Sequence, residues 1–240
     1  MLSRLQQRYP RFGKFLAARF ARGEYLGLHL TIGLALSATG LWLFVLITRH
    51  VLRQDALSRF DLTVLEGLHS RATPLGDAVF IAISHAGGAR TMTVIAVIGA
   101  VLLARRREWF VLGVWAAAFA GGSLLDQLLK TAFHRPRPLY AAAHIHDATW
   151  SFPSGHAMGA LVGFGMVAYM LILHGPNDRR IRAVIIALTT LLIFAIGLSR
   201  LYLGVHYFSD VAAGYAAGLL WLSACISSLE VARRRAVVRR

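Results

Sequence analysis

Cysteine is almost missing from this sequence. The single Cys225 lies inside an apolar run, so neither a disulfide framework nor a cysteine-based metal site can be built. Charge is scarce too: only 15% of the 240 residues are charged, where a soluble domain carries about a quarter. Acidic residues are the rarer kind, 11 against 26 Lys and Arg, giving a net charge of +15. With 57% hydrophobic residues, the chain lacks the polar surface needed to coat a globule in water. The positive charge does not point to nucleic acid, because it sits at the termini and in short gaps between apolar runs. That distribution suits membrane topology and anionic headgroups. Sequence repeats and low-complexity segments are also lacking.

What is present is hydrophobic length. A helix needs about 20 apolar residues to cross the hydrocarbon core. Six stretches qualify, at 26–47, 75–103, 109–128, 155–173, 183–198 and 207–229. The second is overlong and interrupted at Gly87-Gly88, where a kink or a re-entrant start is expected. The expected fold is therefore all-α, a bundle of six transmembrane helices. Between the first and second spans, Leu57, Phe60, Val64, Leu65 and Leu68 recur at helical spacing, with Ser58, Arg59 and Glu66 elsewhere on the wheel. This predicts a helix lying in the interface, which caps the bundle or guides a lipid headgroup. Small residues four apart, at Gly155, Gly159 and Gly163 and at Gly214 and Gly218, allow helices to approach closely in lipid.

Lys and Arg set the orientation. The N-terminal tail carries six, the second-to-third and fourth-to-fifth loops three each, and the C-terminal tail five, together most of the 26. With six spans, both termini are expected in the cytoplasm of a cell inner membrane. No cleavable leader is expected, since the first 24 residues are basic and broken by Pro10 and Gly13. The layout reads as a basic tail at 1–25, a six-span domain at 26–230 and a second basic tail at 231–240.

Three segments on the opposite side, at about 49–74, 130–154 and 199–206, hold most of the chemistry. Near the sixth helix, His206 and Asp210 are four apart and share a helical face if that helix begins near His206. A carboxylate there fixes the imidazole tautomer and leaves the other nitrogen as a free lone pair. Pro153-Ser154-Gly155-His156 reads as a capped helix start, whose free N–H groups make an anion site. His156 then stands where it can protonate a leaving oxygen. Lys130, Arg137 and Arg200 add three cations on a face where the topology rule disfavours them, and an anionic ligand supplies the reason. The groups together suit phosphoryl transfer, with His206 attacking phosphorus and the cations taking the place of a metal ion.

In order and internal spacing, Lys130 with Arg137-Pro138, Pro153-Ser154-Gly155-His156, and Ser199-Arg200 with His206 and Asp210 resemble the three signatures of the type-2 phosphatidic-acid phosphatase superfamily. The resemblance implies a membrane lipid phosphatase without a cofactor or metal. It implies His206 as nucleophile, Asp210 as its partner and His156 as general acid. Lys130, Arg137, Ser154, Gly155 and Arg200 would bind phosphate. Soluble vanadium haloperoxidases share the superfamily, but six spans favour the lipid branch. Expected substrates are undecaprenyl diphosphate, phosphatidylglycerophosphate or phosphatidic acid, presented on the outer leaflet. A phosphotransferase that passes the same phosphohistidine phosphate to another lipid would carry the same motifs; a lipid transporter or binding protein whose phosphate site holds cargo is a third reading, though binding alone has no need of a His–Asp pair.

Several neighbours have no assigned role. His134 and Arg135 flank the first motif, and His144, His146 and Asp147 make a poor metal site as they stand. Asp126, one turn before Lys130, either pairs with it or faces the bundle interior, since an unpaired carboxylate is costly there. Tyr202 and Tyr207 are expected as interfacial anchors.

Overall fold

A computed structural model describes residues 25–140 and 149–238, without the side chains of 25–28 and 234–238. The basic N-terminal tail and the trio His144, His146 and Asp147 lie outside the described residues.

Among those residues the regular structure is all helical, and six helical spans are long and apolar enough to cross a membrane. Helix α1 (Tyr25–Arg53) leads to α2 (Ala56–His69), the helix predicted for the interface. Fourteen residues make only about 21 Å of helix, too short for a hydrocarbon core of roughly 30 Å. Asp55 caps α2 by accepting the Leu57 N–H at 3.1 Å. The second span divides as expected into α3 (Pro74–Ala86) and α4 (Ala89–Arg105), broken at Gly87-Gly88. The third runs from α5 (Trp109–Ala116) through a π turn (Ala117–Gly121) into α6 (Gly122–Phe133). Helices α7 (Gly155–His174), α8 (Arg179–Tyr202) and α9 (Phe208–Val238) complete the bundle. The last helix therefore continues past 230, into the segment predicted as a tail.

Helices α7 and α9 form the centre. Ala157, Ala160, Val162 and Met166 on α7 and Ala213, Ala216, Ala217 and Leu229 on α9 are buried. Gly214 sets their closeness: a Cβ there would lie 2.6 Å from the Ser154 carbonyl oxygen. Without one, the start of α9 meets the start of α7, and Ser154 N–H donates to the Asp210 carbonyl at 2.9 Å. The outer faces are apolar and exposed, as along α8 at Val184, Leu188, Leu191 and Phe194, where lipid takes the place of a partner helix.

One expectation is corrected. Helix α9 begins at Phe208, so His206 precedes the helix instead of sharing a face with Asp210. The cause is the turn after α8, which ends at Tyr202: Gly204 adopts a left-handed φ of +64° and carries His206 in a non-helical turn. Asp210 then acts as the acid of a capping box, accepting the Tyr207 backbone N–H at 2.8 Å.

Candidate active site

The three motifs converge on a cavity of about 680 Å³. Lys130 comes from the last turn of α6, His156 from the first turn of α7, and Arg200 from the last turn of α8. Arg137 and His206 come from the segments following α6 and α8. Six of the eight predicted site residues line the cavity: Lys130, Arg137, Gly155, His156, Arg200 and His206. Ser154 and Asp210 stand behind this wall, both fully buried. The Ser154 hydroxyl faces its own helix, 3.5 Å from the Ala157 N–H, as its cap. The wall continues among Met92, Phe119, Met158 and Val162, so one cavity has a cationic end and an apolar end.

Around His206 the donors settle the tautomer. Arg137 Nη1 lies 3.3 Å from Nε2 and can only donate, so Nε2 carries a lone pair and Nδ1 the hydrogen. Nδ1 faces Asp210 Oδ2 at 3.5 Å, a long contact, and the Ser151 hydroxyl at the same distance. Ser151 itself donates to Asp210 Oδ2 and so competes for that oxygen. Burial lowers the His206 pKa to about 4; Asp210 opposes this and the nearby Arg200 and Arg137 reinforce it. The ring is therefore neutral near pH 7, with its lone pair directed at Arg137.

The cations differ in how they are held. Arg137 donates to the Thr149 carbonyl at 2.8 Å, the Thr149 hydroxyl at 2.6 Å and the Val205 carbonyl at 3.0 Å. Burial lowers its pKa, against the pull of Asp210 and Asp126. Arg200 is 8% exposed and donates to Ser84 at the end of α3, while its Nε has no partner. Lys130 pairs with Asp126 at 2.7 Å, the partnership that the cost of an intramembrane carboxylate requires. Such a wall can hold an anion with several oxygens. The Gly87-Gly88 break brings α3 against it: a Cβ on Gly88 would lie 3.7 Å from His156 Nε2.

Three residues behind His206 lie outside the assigned motif positions. Asp61 lies on α2 and is 1% exposed; with Leu65 it forms the buried part of that helix, so its bundle-facing side carries a carboxylate as well as the apolar stripe. Asp61 accepts from the Ser209 N–H at 2.8 Å and from Arg135 at 2.8 Å. Arg135 also donates to Asp210 at 2.5 Å and stacks over the Tyr207 ring at 4.3 Å. Burial lowers the Arg135 pKa, but Asp210 and Asp61 outweigh it and raise the value overall. Ser151 is the third. One signal was available: Asp61 falls four after Leu57 and four before Leu65, a lone acid within the apolar stripe. Tyr202, expected as an anchor, accepts the Thr73 N–H at 3.0 Å and joins α8 to the start of α3.

Residues 107–234 match the family model for the PAP2 superfamily. Phosphatidylglycerophosphatase B of Bacillus subtilis is 31% identical over 181 residues, covering 75% of this chain and 88% of that protein. A decaprenylphosphoryl-5-phosphoribose phosphatase of Mycobacterium tuberculosis is 36% identical over 147 residues, 60% of this chain and 73% of that one. Among solved structures, the transmembrane PAP2-type phosphatidylglycerolphosphate phosphatase from Bacillus subtilis superposes with a TM-score of 0.71. Its sequence identity is 28%, and the match covers 80% of this chain and 96% of that one.

Proposed function

This chain belongs to the PAP2 superfamily and is a multi-pass membrane hydrolase of lipid phosphate esters; from that premise we propose that it releases orthophosphate from a lipid phosphate or diphosphate through a phosphohistidine at His206. The observation that carries the proposal is the cavity lined by Lys130, Arg137, Arg200, His156 and His206, with Arg137 at the His206 Nε2 lone pair and apolar side chains farther along the wall for the rest of a lipid.

In this reading the phosphate oxygens bind Lys130, Arg137, Arg200 and the N-terminal turn of α7 at Gly155. Arg137 moves from His206 Nε2 onto an equatorial oxygen, and Nε2 attacks phosphorus. His156 takes up a proton when the phosphate anion binds beside it, and donates that proton to the leaving oxygen as its bond to phosphorus breaks. Water then attacks the phosphohistidine with His156 as base, the N–P bond breaks, and orthophosphate leaves. Asp210 holds Nδ1–H throughout. Ser154 acts one step back, capping the helix whose N-terminus meets the phosphate. The phosphatase unit spans 26–230 between basic tails. Charge asymmetry supports cytoplasmic termini in an inner membrane, with the site on the outer face, where phosphatidylglycerophosphate, phosphatidic acid or undecaprenyl diphosphate would be presented.

The test is phosphate release in mixed micelles from those three lipids, by the parent chain and by His206→Ala. Release by the parent without any acceptor lipid, and its loss in the variant, is the expected result. Full activity in His206→Ala would refute the mechanism, and phosphate appearing only with an acceptor would make the chain a transferase.

A further inference from the structure

Behind His206 lies a buried charge cluster that lines no part of the cavity. Asp61 on α2 accepts from Arg135 at 2.8 Å, from the Ser209 N–H at 2.8 Å and from the Ser209 hydroxyl at 2.5 Å. Arg135 bridges onward to Asp210 at 2.5 Å, and Asp210 faces His206 Nδ1. Exposure is slight throughout: 14% for the Arg135 side chain, 1% for Asp61 and none for Asp210. Two carboxylates and one guanidinium leave one net negative charge in a place that water barely reaches.

Fastening α2 to the bundle does not require this arrangement, since apolar residues of similar volume do so without desolvating three charges. The reaction proposed above supplies a reason. When Nε2 bonds to phosphorus while Nδ1 keeps its hydrogen, the ring becomes a cation. Arg137, 3.3 Å from Nε2, and Arg200 on the same cavity wall both disfavour positive charge there. Asp210 paired with Arg135 alone would be neutral and could not offset them. Asp61 changes this by sharing Arg135.

We infer that Asp61 is a positioning residue for phosphoryl transfer: by holding Arg135 between two carboxylates, it preserves a net negative charge at Asp210 that stabilises the cationic ring of phospho-His206. The inference rests on His206 as the nucleophile.

The test compares kcat and KM for dioctanoyl phosphatidic acid in detergent across the parent, Asp61→Asn, the double variant Asp61→Asn/Arg135→Gln, and His206→Ala. Asp61→Asn makes the cluster neutral, and kcat is expected to fall about 10- to 100-fold with KM within about threefold, the scale of losing one interaction with a buried charge. The double variant restores the single negative charge, so its kcat should exceed that of Asp61→Asn by about tenfold. A structural fastener predicts the reverse, with the double variant no better than the single one. That result, or a parental kcat in Asp61→Asn, overturns the inference. If Asp61→Asn does not fold, the double variant decides alone: a kcat within about thirtyfold of the parent supports the inference and a larger loss overturns it. Activity in His206→Ala would instead refute the nucleophile, which separates the two failures.

Discussion

His206 stands between two sets of arginines that face opposite demands. On the cavity side, Arg137 and Arg200 are held by neutral oxygens, from Thr149, Val205 and Ser84, and keep their full charge for a ligand. Behind the ring, Arg135 is enclosed by Asp61 and Asp210 and has little charge left to offer. The three side chains are chemically identical, so their partners make the difference. A guanidinium fixed by carbonyls and hydroxyls is positioned without being neutralised, as an anion site requires. One enclosed by two carboxylates adjusts the charge of its surroundings. Lys130 lies between these cases, sharing its charge with Asp126.

The strongest challenge to this division is to remove the residue it surrounds. His206→Ala should lower kcat by about four orders of magnitude or more while leaving the cavity-side arginines able to bind vanadate, measured by equilibrium dialysis. Loss of vanadate binding along with turnover would mean that the cavity cations do not form a site of their own. Next come the cavity-side arginines. Arg200→Lys keeps the charge and loses the fork, and kcat/KM should fall about 100-fold. A change under threefold would show that charge alone suffices there.

Smaller effects sharpen the comparison. Ser154→Ala should cost about 1 kcal/mol of stability by thermal melting, with kcat/KM within about fivefold of the parent, because the hydroxyl caps α7. A loss as large as that of Arg200→Lys would place the hydroxyl on the phosphate. Chelation should change little if, as proposed, Lys130, Arg137 and Arg200 are the cations that meet the phosphate; activity lost in EDTA and restored by Mg²⁺ would contradict that. The last effect depends on pH. His206 has a native pKa of about 4 against about 6.5 unfolded, so the unfolded chain binds the extra proton between those values. Its contribution to stability is complete above pH 6.5 and is lost as pH falls toward 4, with a slope of at most about 1.4 kcal/mol per pH unit. In melts between pH 7 and pH 5, His206→Ala should flatten that decline; an unchanged slope would mean that another group carries it.

Much of this was legible in the chain. The six spans follow from hydrophobic length, and the helix break at Gly87-Gly88 from a glycine pair. The residues lining the cationic end came from motif spacing, which reports local geometry at helix ends. The hidden part is the rear cluster. Arg135 meets Asp61 across 74 residues and Asp210 across 75, and Asp61 meets Ser209 across 148, separations at which no periodicity survives. Asp61 was masked further by its helix, whose apolar stripe accounts for α2 without it.

By itself, then, the sequence determined a membrane bundle with two histidines and several cations on one side, because transfer from water fixes the spans and local spacing fixes the motifs. Motif spacing singled out Arg137 and left Arg135, two positions earlier across Pro136, without a role. Only the tertiary structure decided that one meets two buried carboxylates and the other the cavity, because a guanidinium's role depends on partners that the rest of the chain must fold to supply.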